Sequence, residues 1–455
     1  TYSLFLSWVL AITITPFLVD LLLPDFDPGS AQPADPYGGK MYTIYKRILD
    51  PAVRQRKLVI MLMVGLLALS MYGFGHVKKA FFTASNTPMF YIDIWMPEGT
   101  DIRTTLAQAE EIEAHIRAQP EVEFVSASVG QGAPRFIMTY MPEQSFENFA
   151  QLQIRATSLE TMWSLAQRLD SEMYARFPKV AHTLREMAFG PPTRAKIEAR
   201  FRGPEPDVLR QLGEQAEAIL RADPVARSVS SDWRERGKEV VPVVNESEAR
   251  RLGISNEEIA LALKTAFGGA QVGLYRDGTR KLPIVVRLPE AERVDFGRID
   301  NLRIWSPSLQ TYVPIQQLVK RVDLQWSDTV IRRKDRQRTL TVGAFPDLFS
   351  GQTAEQLFKR VRPQIEAIPL PAGYSLNWGG EYENSQRSLK AAFGGLPLAL
   401  LAMFVLTVLL FGSLRRALVV WLTVPLAIVG VSVGLLVMKL PLTFPAILGI
   451  LALIG

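Results

Sequence analysis

The chain has 455 residues, 48% of them hydrophobic and 21% charged, with 51 Lys and Arg against 45 Asp and Glu for a net charge of +6. It has no cysteine, which excludes disulfides and cysteine metal sites, and His76, His115 and His182 are too dispersed to suggest a histidine metal cluster. The arginines are spread along the chain and do not form one basic face, so the positive balance fits the positive-inside bias of a membrane protein better than affinity for nucleic acid.

In chain order, residues 4–23 form the first apolar stretch, and ~20 such residues cross ~30 Å of hydrocarbon. The stretch lacks a basic leader and a small-residue cleavage site, so it reads as a spanning helix and not a signal peptide. Its one carboxylate, Asp20, sits near the cytoplasmic end and reads as a snorkelling interfacial acid. Residues 24–57 begin as a Pro/Gly/Asp-rich loop, followed by a short helix over 41–49 expected to lie on the inner membrane surface with Tyr42 and Tyr45 toward lipid. This segment carries Lys40, Lys46, Arg47, Arg54, Arg56 and Lys57, which place it in the cytoplasm. A second span, 58–77, then leads outward. Further apolar stretches cover 396–411, 418–438 and 442–455, the last too short for a full crossing, and Arg415 and Arg416 mark a second cytoplasmic link. Charge and the count of crossings agree that the polar segment 78–390 is extracytoplasmic. The sequence reads as incomplete at both ends.

Within that segment one pattern occurs four times: a strand, a helix of ~15 residues, a proline and, in three copies, a further strand. The first copy has a strand at 90–96, a helix at 101–119, Pro120 and a strand at 123–129. Ile102, Leu106, Ala109, Ile112 and Ile116 supply the apolar helix face at steps of three and four. The second copy covers 150–156, 159–177 and Pro178. The third covers 195–202, 207–222, Pro224 and 226–232, and the fourth 340–345, 353–368, Pro369 and 375–380. Such units need a second unit to cover the sheet, so they should pair into two small α+β sandwiches, the second interrupted by 240–335. The insertion contains a helix at 256–266 with Ser255 and Glu258 as a capping box, then short strands and a hairpin at Asp277-Gly278.

The run Glu248-Ala249-Arg250-Arg251-Leu252-Gly253-Ile254-Ser255, followed by Gly268-Gly269, Val272-Gly273 and Tyr275-Arg276-Asp277-Gly278, resembles the resistance-nodulation-division (RND) efflux transporters. Phe81-Phe82 with Pro97-Glu98-Gly99-Thr100, Gly379-Gly380-Glu381 and Pro425-Leu426-Ala427 resemble other parts of the same family in the same order. The resemblance implies a membrane α-helical bundle joined to a large periplasmic α+β region of ferredoxin-like βαβ porter subdomains with a β-rich docking insertion. By it, residues 1–23, 58–77, 394–412, 418–438 and 442–455 correspond to family helices six to ten. Residues 78–192 form one porter subdomain, 193–266 with 329–386 the second, and 267–328 the docking subdomain.

The resemblance further implies a proton-driven exporter of the hydrophobe/amphiphile branch in a Gram-negative inner membrane, acting as a homotrimer with a periplasmic adaptor and an outer-membrane channel. A heavy-metal pump and a non-transporting membrane scaffold or translocation accessory are the alternatives. Gly130, Gly132 and Pro134 match the family's switch loop, although a Gly-x-Gly turn by itself is as readily an ordinary hairpin. Ser126, Ser128, Met138 and Tyr140 are implied to face the deep substrate pocket, with serines at two places where multidrug members carry phenylalanine. Gly273, Tyr275, Asp277 and Gly278 are implied docking contacts. The family's proton-carrying residues correspond to nothing in this sequence. Met89 and Met96 lie seven residues apart and so on opposite strand faces, which favours packing over a thioether metal relay. The basic run 332–338 precedes a porter strand and reads as a solvated edge or interface. No nucleotide loop, nucleophile elbow or histidine-nucleophile pair is present, so neither enzyme chemistry nor a cofactor is expected.

Overall fold

The computed structural model describes residues 40–293 and 296–454, with isolated positions between 10 and 21. Most of the expected span at 4–23, including Asp20, and the loop at 24–39 therefore lie outside the described residues, as does the Tyr42 side chain. The chain forms two units, one made of the N-terminal part to His76 with 422–436, the other of 77–421 with 437–455.

In the first unit, α1 (Lys40–Arg54) runs beyond the expected 41–49 through Pro51 and is followed by α2 (Arg56–Gly75). Small residues bring α2 close to the segment 424–436. A Cβ on Gly73 would lie 3.0 Å from the Leu436 side chain, and the buried Ser432 hydroxyl donates to the Ser70 carbonyl at 2.9 Å. Close backbone approach through Gly and Ser is how apolar helices associate where neither has water to escape from.

The second unit holds two sandwiches of the same plan. The first comprises β1 (Met89–Trp95), α3 (Ile102–Arg117), β2 (Val122–Val129), β3 (Phe149–Ala156), α4 (Leu159–Arg176) and β4 (Ala181–Glu186). Its antiparallel sheet has the order β2-β3-β1-β4. Period-2 alternation puts Phe90, Ile92, Ile94, Leu152 and Ile154 on one face, packed against Ile112 and Ile116 of α3 and Leu165 and Leu169 of α4. Asp101 and Ser158 cap the two helices. β4 completes the second strand–helix unit, where the sequence pattern specified no strand after Pro178.

The second sandwich comprises β5 (Ile197–Arg202), α5 (Pro206–Ala222) and β6 (Ala226–Ser231), then, after the insertion, β14 (Gln337–Pro346), α8 (Ala354–Glu366) and β15 (Ser375–Gly379). β14 lies between β5 and β6, and β15 pairs with the other edge of β5. Its core includes the fully buried Trp233, whose indole donates to the Thr339 carbonyl at 2.8 Å. The insertion rises on a two-stranded ribbon of β7 (Arg236–Val244) and β12 (Val319–Asp328). It has a small core of its own built from Ala249, Ile254, Ile259, Val313 and Ile315. There α6 (Glu246–Arg251) precedes α7 (Asn256–Leu263), whose Ser255–Glu258 capping box is reciprocal. A hairpin, β8 (Ala270–Asp277) with β9 (Arg280–Val286), follows, and β10 (Arg303–Ser306) pairs with β11 (Thr311–Pro314). β13 (Arg333–Lys334) is a two-residue edge piece on β14.

The polar helix α9 (Gly380–Gly394) runs on into the apolar α10 (Leu396–Phe411) as one 32-residue helix. Beyond it are α11 (Leu414–Thr423), α12 (Ala427–Val437) and α13 (Phe444–Ile454). Among the described residues, three helices are long and apolar enough to cross a membrane: Arg56–Gly75, Gly380–Phe411 and Leu414–Val437. Their leucines, among them Leu398, Leu409, Leu410 and Leu422, are exposed, and so much bare apolar surface calls for lipid or protein around it.

The Gly379-Gly380-Glu381 motif has a steric origin. A Cβ on Gly379 would meet the Arg200 guanidinium at 2.2 Å. Gly380 has φ +67°, and its Cβ would lie 2.5 Å from the Lys196 carbonyl oxygen. Lys196 in turn pairs with Glu381 at 2.6 Å, and Arg200 reaches Glu383 at 2.5 Å, so the first turn of α9 is pinned to β5. Gly380→Ala should therefore destabilise the protein by about 2 kcal/mol or more. Gly394→Ala, with open space around it, should stay within about 1 kcal/mol of wild type. Thermal unfolding of the two variants side by side checks this, and equal melting temperatures would refute the steric reading.

Candidate functional site

The first sandwich packs its apolar sheet face on helices and turns a polar face the other way. Register places Ser128, Gln151, Asp93 and Thr183 in one row across β2, β3, β1 and β4, and Ser126, Gln153, Tyr91 and Arg185 in the next. The irregular segment 130–148 folds over this face and is held there by one side chain. Gln151, almost fully buried, donates through Nε2 to Asp93 Oδ1 at 2.6 Å. Its Oε1 accepts from the Tyr140 hydroxyl at 2.7 Å and from the Ala133 amide at 3.2 Å. Arg185 donates to Asp93 Oδ2 at 3.2 Å and to the Thr193 carbonyl at 2.9 Å. The Tyr140 ring stands edge-on to Tyr91 with centroids 5.7 Å apart, and burial pushes its phenol up to about 12, keeping it a donor.

Gly130 has φ +80°, its amide donates to the Phe149 carbonyl and its carbonyl accepts from the Phe146 amide. Gly132 sits against the returning strand of the loop, where a Cβ would be 2.4 Å from the Glu143 amide nitrogen. Pro134 is exposed at the bend. Ser126 and Ser128 thus share the polar sheet face and Tyr140 is buried above it. Met138 is not brought in, being 85% exposed on the outside of the loop. On the same face the Gln153 Nε2 donor is buried and has no partner, an unspent hydrogen-bonding capacity of the sort that costs free energy unless something fills it.

Facing the Asp93–Arg185 pair are β6, β14 and the Asp232-Trp233-Arg234 turn of the second sandwich. Arg185 lies 5.4 Å from the Phe345 ring and Arg234 lies 3.3 Å from that of Trp95. Between the sheets is a cleft whose ~80 Å³ inner cavity is walled by Arg185, Arg194, Arg234, Glu143, Glu198 and Asp232. Burial lowers Arg234 to about 10 and also lowers Arg332, yet both remain cationic at neutral pH. Burial raises Asp232 to about 6, although its Oδ1 accepts from the Thr341 amide at 2.7 Å. Among the described residues, no group of three or more His, Cys, Asp and Glu is arranged to hold a metal ion.

Gly273 and Tyr275 lie along β8, and Asp277 and Gly278 reach the tip of the β8–β9 hairpin, which Gly278 turns with φ +57° and where Asp277 faces Arg280 across the strands. Tyr275 is 61% exposed, and Val272, Leu274, Ile284 and Val285 are also open to solvent. A lone two-stranded ribbon with apolar residues exposed on both faces is marginal in water.

The sequence matches the AcrB/AcrD/AcrF family over residues 1–455. The chain belongs to this family of RND efflux proteins. Curated relatives include the cobalt-zinc-cadmium resistance protein CzcA of Cupriavidus metallidurans, 24% identical over 373 residues that are 78% of this chain and 34% of the relative. The multidrug resistance protein MdtC of Klebsiella pneumoniae is 20% identical over 456 residues, 99% of this chain and 43% of the relative. A crystal structure of a heavy metal efflux pump superposes with a TM-score of 0.75 at 21% identity, covering 98% of this chain and 45% of that one. The chain thus spans less than half the length of the relatives it matches.

The residues that the sequence reading missed are Asp93, Gln151, Gln153, Arg185, Asp232 and Arg234. The available signal was polar residues recurring every second position on β1 and β3, a period that marks a face left uncovered by helices.

Two outcomes are expected. Gln151→Ala should leave both Asp93 and Tyr140 short of a partner and free the loop at a cost of about 1–3 kcal/mol. With no native cysteine in the way, a cysteine placed at Ala133 should react with maleimide several-fold faster in that background, and an unchanged rate would refute the anchoring role. The Asp232 carboxyl, raised to about 6 from 3.8, makes the folded state bind its proton more readily than the unfolded chain. Its contribution to stability is therefore full below pH ~4 and lost as pH rises through 6. Asp232→Asn, which does not titrate, should gain on wild type between pH 4.5 and pH 7.5 by on the order of 2 kcal/mol. Thermal unfolding at both values checks this, and a constant gap would mean the carboxyl titrates normally.

Proposed function

We propose that this chain is the central part of an RND permease, driven by the proton gradient, that exports hydrophobic and above all amphiphilic compounds from the periplasm and inner membrane. In this reading 78–386 is the periplasmic porter and docking region and the apolar helices cross the inner membrane. The pump works as a homotrimer with a periplasmic adaptor and an outer-membrane channel. The proton-coupling residues lie elsewhere in the protein.

The observation that carries the reading is the polar sheet face covered by a Gln151-anchored loop, opening on a cleft lined by arginines and carboxylates. Segment 130–148 acts as the switch loop, its glycines permitting the change of backbone angles that passage of cargo demands. Ser126, Ser128, Tyr140 and the unpaired Gln153 amide contact the cargo, with Met138 at the exposed rim. The β8–β9 hairpin, with Gly273, Tyr275, Asp277 and Gly278, meets the adaptor, which supplies the cover its apolar side chains lack.

Heavy-metal export is the second reading, favoured by the relatives that are named for resistance to cobalt, zinc and cadmium. Against it stands the engagement of both Asp93 oxygens by Gln151 and Arg185. In the cleft Arg185 pairs with Asp93 at 3.2 Å and Arg194 with Glu143 at 3.0 Å, which leaves fewer carboxylate oxygens free for a divalent cation.

Deleting the gene should sensitise cells to dyes, bile salts or detergents, and the wild-type copy should restore tolerance while Gly132→Pro, at equal membrane level, does not. Loss of cobalt, zinc or cadmium tolerance alone would select the metal reading. Topology is tested separately. A cysteine at Met138 should react with a membrane-impermeant maleimide from the periplasmic side, and one at Arg415 only after the membrane is opened. The reverse pattern would overturn the orientation.

A further inference from the structure

A cavity of about 600 Å³ in the second unit lies apart from the sheet face and cleft above, and its size falls within the range of small-molecule sites. Its walls are α8, the polar helix α9, the short link 79–81 and the start of α13. The link is fixed to α13 by backbone pairing, with Ala80 donating to the Leu442 carbonyl and Leu442 to that of Lys78.

The walls change character along one direction. On α9 the lining side chains pass from Glu381 and Tyr382 through Ser385 and Gln386 to Leu389. The helix then continues as α10, which has no charged residue between Leu396 and Phe411. The link and α13 add the aromatic and aliphatic side chains of Phe81, Phe444 and Ile447. Three of the lining cations are already matched: Lys196 with Glu381 at 2.6 Å, Arg362 with Glu366 at 2.8 Å and Lys359 with Glu355 at 2.8 Å. Lys79 is exposed and, among the described residues, has no ion-pair partner. The site therefore combines an apolar end, a polar end and one uncompensated ammonium.

We propose that this cavity binds one anionic phospholipid of the outer leaflet, with an acyl chain against Phe81, Leu389 and Phe444 and the head-group phosphate on Lys79. The source is lipid and not free phosphate, because the apolar end is continuous with the helix that reads as membrane-spanning. An ammonium on a flexible stem suits a phosphate that need not be gripped in one geometry. The inference rests on the membrane reading under Proposed function but not on the cargo.

The test is native mass spectrometry of the whole protein, purified from membranes and exchanged into phosphatidylglycerol or phosphatidylcholine. Wild type should retain one phosphatidylglycerol per chain in preference to phosphatidylcholine. Lys79→Glu, an exposed change that spares the fold, should cut that preference by about fivefold, and Ser385→Trp, which fills the cavity, should abolish retention of either lipid. Retention equal in all three proteins, or without head-group preference in wild type, would overturn the proposal. So would a photoreactive residue at Ser385 that cross-links to polypeptide and not to lipid, since the cavity would then be filled by protein. Periplasmic labelling at Met138 with no lipid retained would sink this inference alone, whereas a reversed labelling pattern would sink the membrane reading beneath it.

Discussion

The Gln151 side chain is the point on which the arrangement of the first sandwich's polar face depends. An amide has one acceptor oxygen and one donor nitrogen, and here both ends are used on opposite errands. The nitrogen secures a carboxylate within the sheet and the oxygen secures the loop above it. Neither a carboxylate nor an amine could do both. Because the site is buried, each bond is strong and each loss is costly, so the loop is held closed by few but stringent contacts. Arg185 extends the chain of contacts by joining Asp93 to the segment that leads into the second sandwich, where it also lies against Phe345. A movement at the loop thereby has a physical route to the cleft between the sheets, made of hydrogen bonds and a cation–π contact.

The sandwiches can tolerate such a polar face because each sheet is covered on its other side. Two helices per sheet are enough to bury Phe90, Ile92 and Ile154 in one case and Phe201, Leu340 and Val342 in the other. The strand faces left over are free to carry whatever residues function requires, without loss of the core. The same economy does not extend to the insertion, whose hairpin has no second layer. Its exposed Val272, Leu274 and Ile284 are paired only across one ribbon.

Legibility in the sequence followed the length of the signal. The apolar stretch at 396–411 coincides with α10 because sixteen consecutive residues without a charge admit one reading. The helix expected over 256–266 ends as an α-helix at Leu263 and widens into a π-helical turn over 264–268, since the capping box fixes a start but nothing in the residues fixes the stop. The 41–49 helix extends to Arg54 because Pro51 falls inside the helix without breaking it. Strand β4 has no plain apolar alternation because His182 replaces an apolar residue on its helix-facing side, while Thr183 and Arg185 face the cleft. What remained illegible was long-range pairing. That Gln151 would meet both Asp93 and Tyr140 depends on β1 and β3 being neighbours at one register, and no local pattern specifies a register across fifty-eight residues.

The split between cargo readings has the same root. A fold shared at a TM-score of 0.75 with a metal pump, and a sequence matching resistance proteins for metals and for drugs alike, place the chain in a family without selecting its substrate. Under the export reading, selection falls to the few side chains that the fold holds toward the cleft. A site for a divalent cation needs oxygen or nitrogen lone pairs left free to coordinate it, and Asp93 has its two oxygens already engaged by neighbouring donors. A site for an organic amphiphile can use instead donors left without partners. The unpaired Gln153 amide is of that kind, whereas Arg185 and Arg194 of the cleft are matched by Asp93 and Glu143, so this face offers hydrogen-bonding capacity without fixing the charge of what it meets.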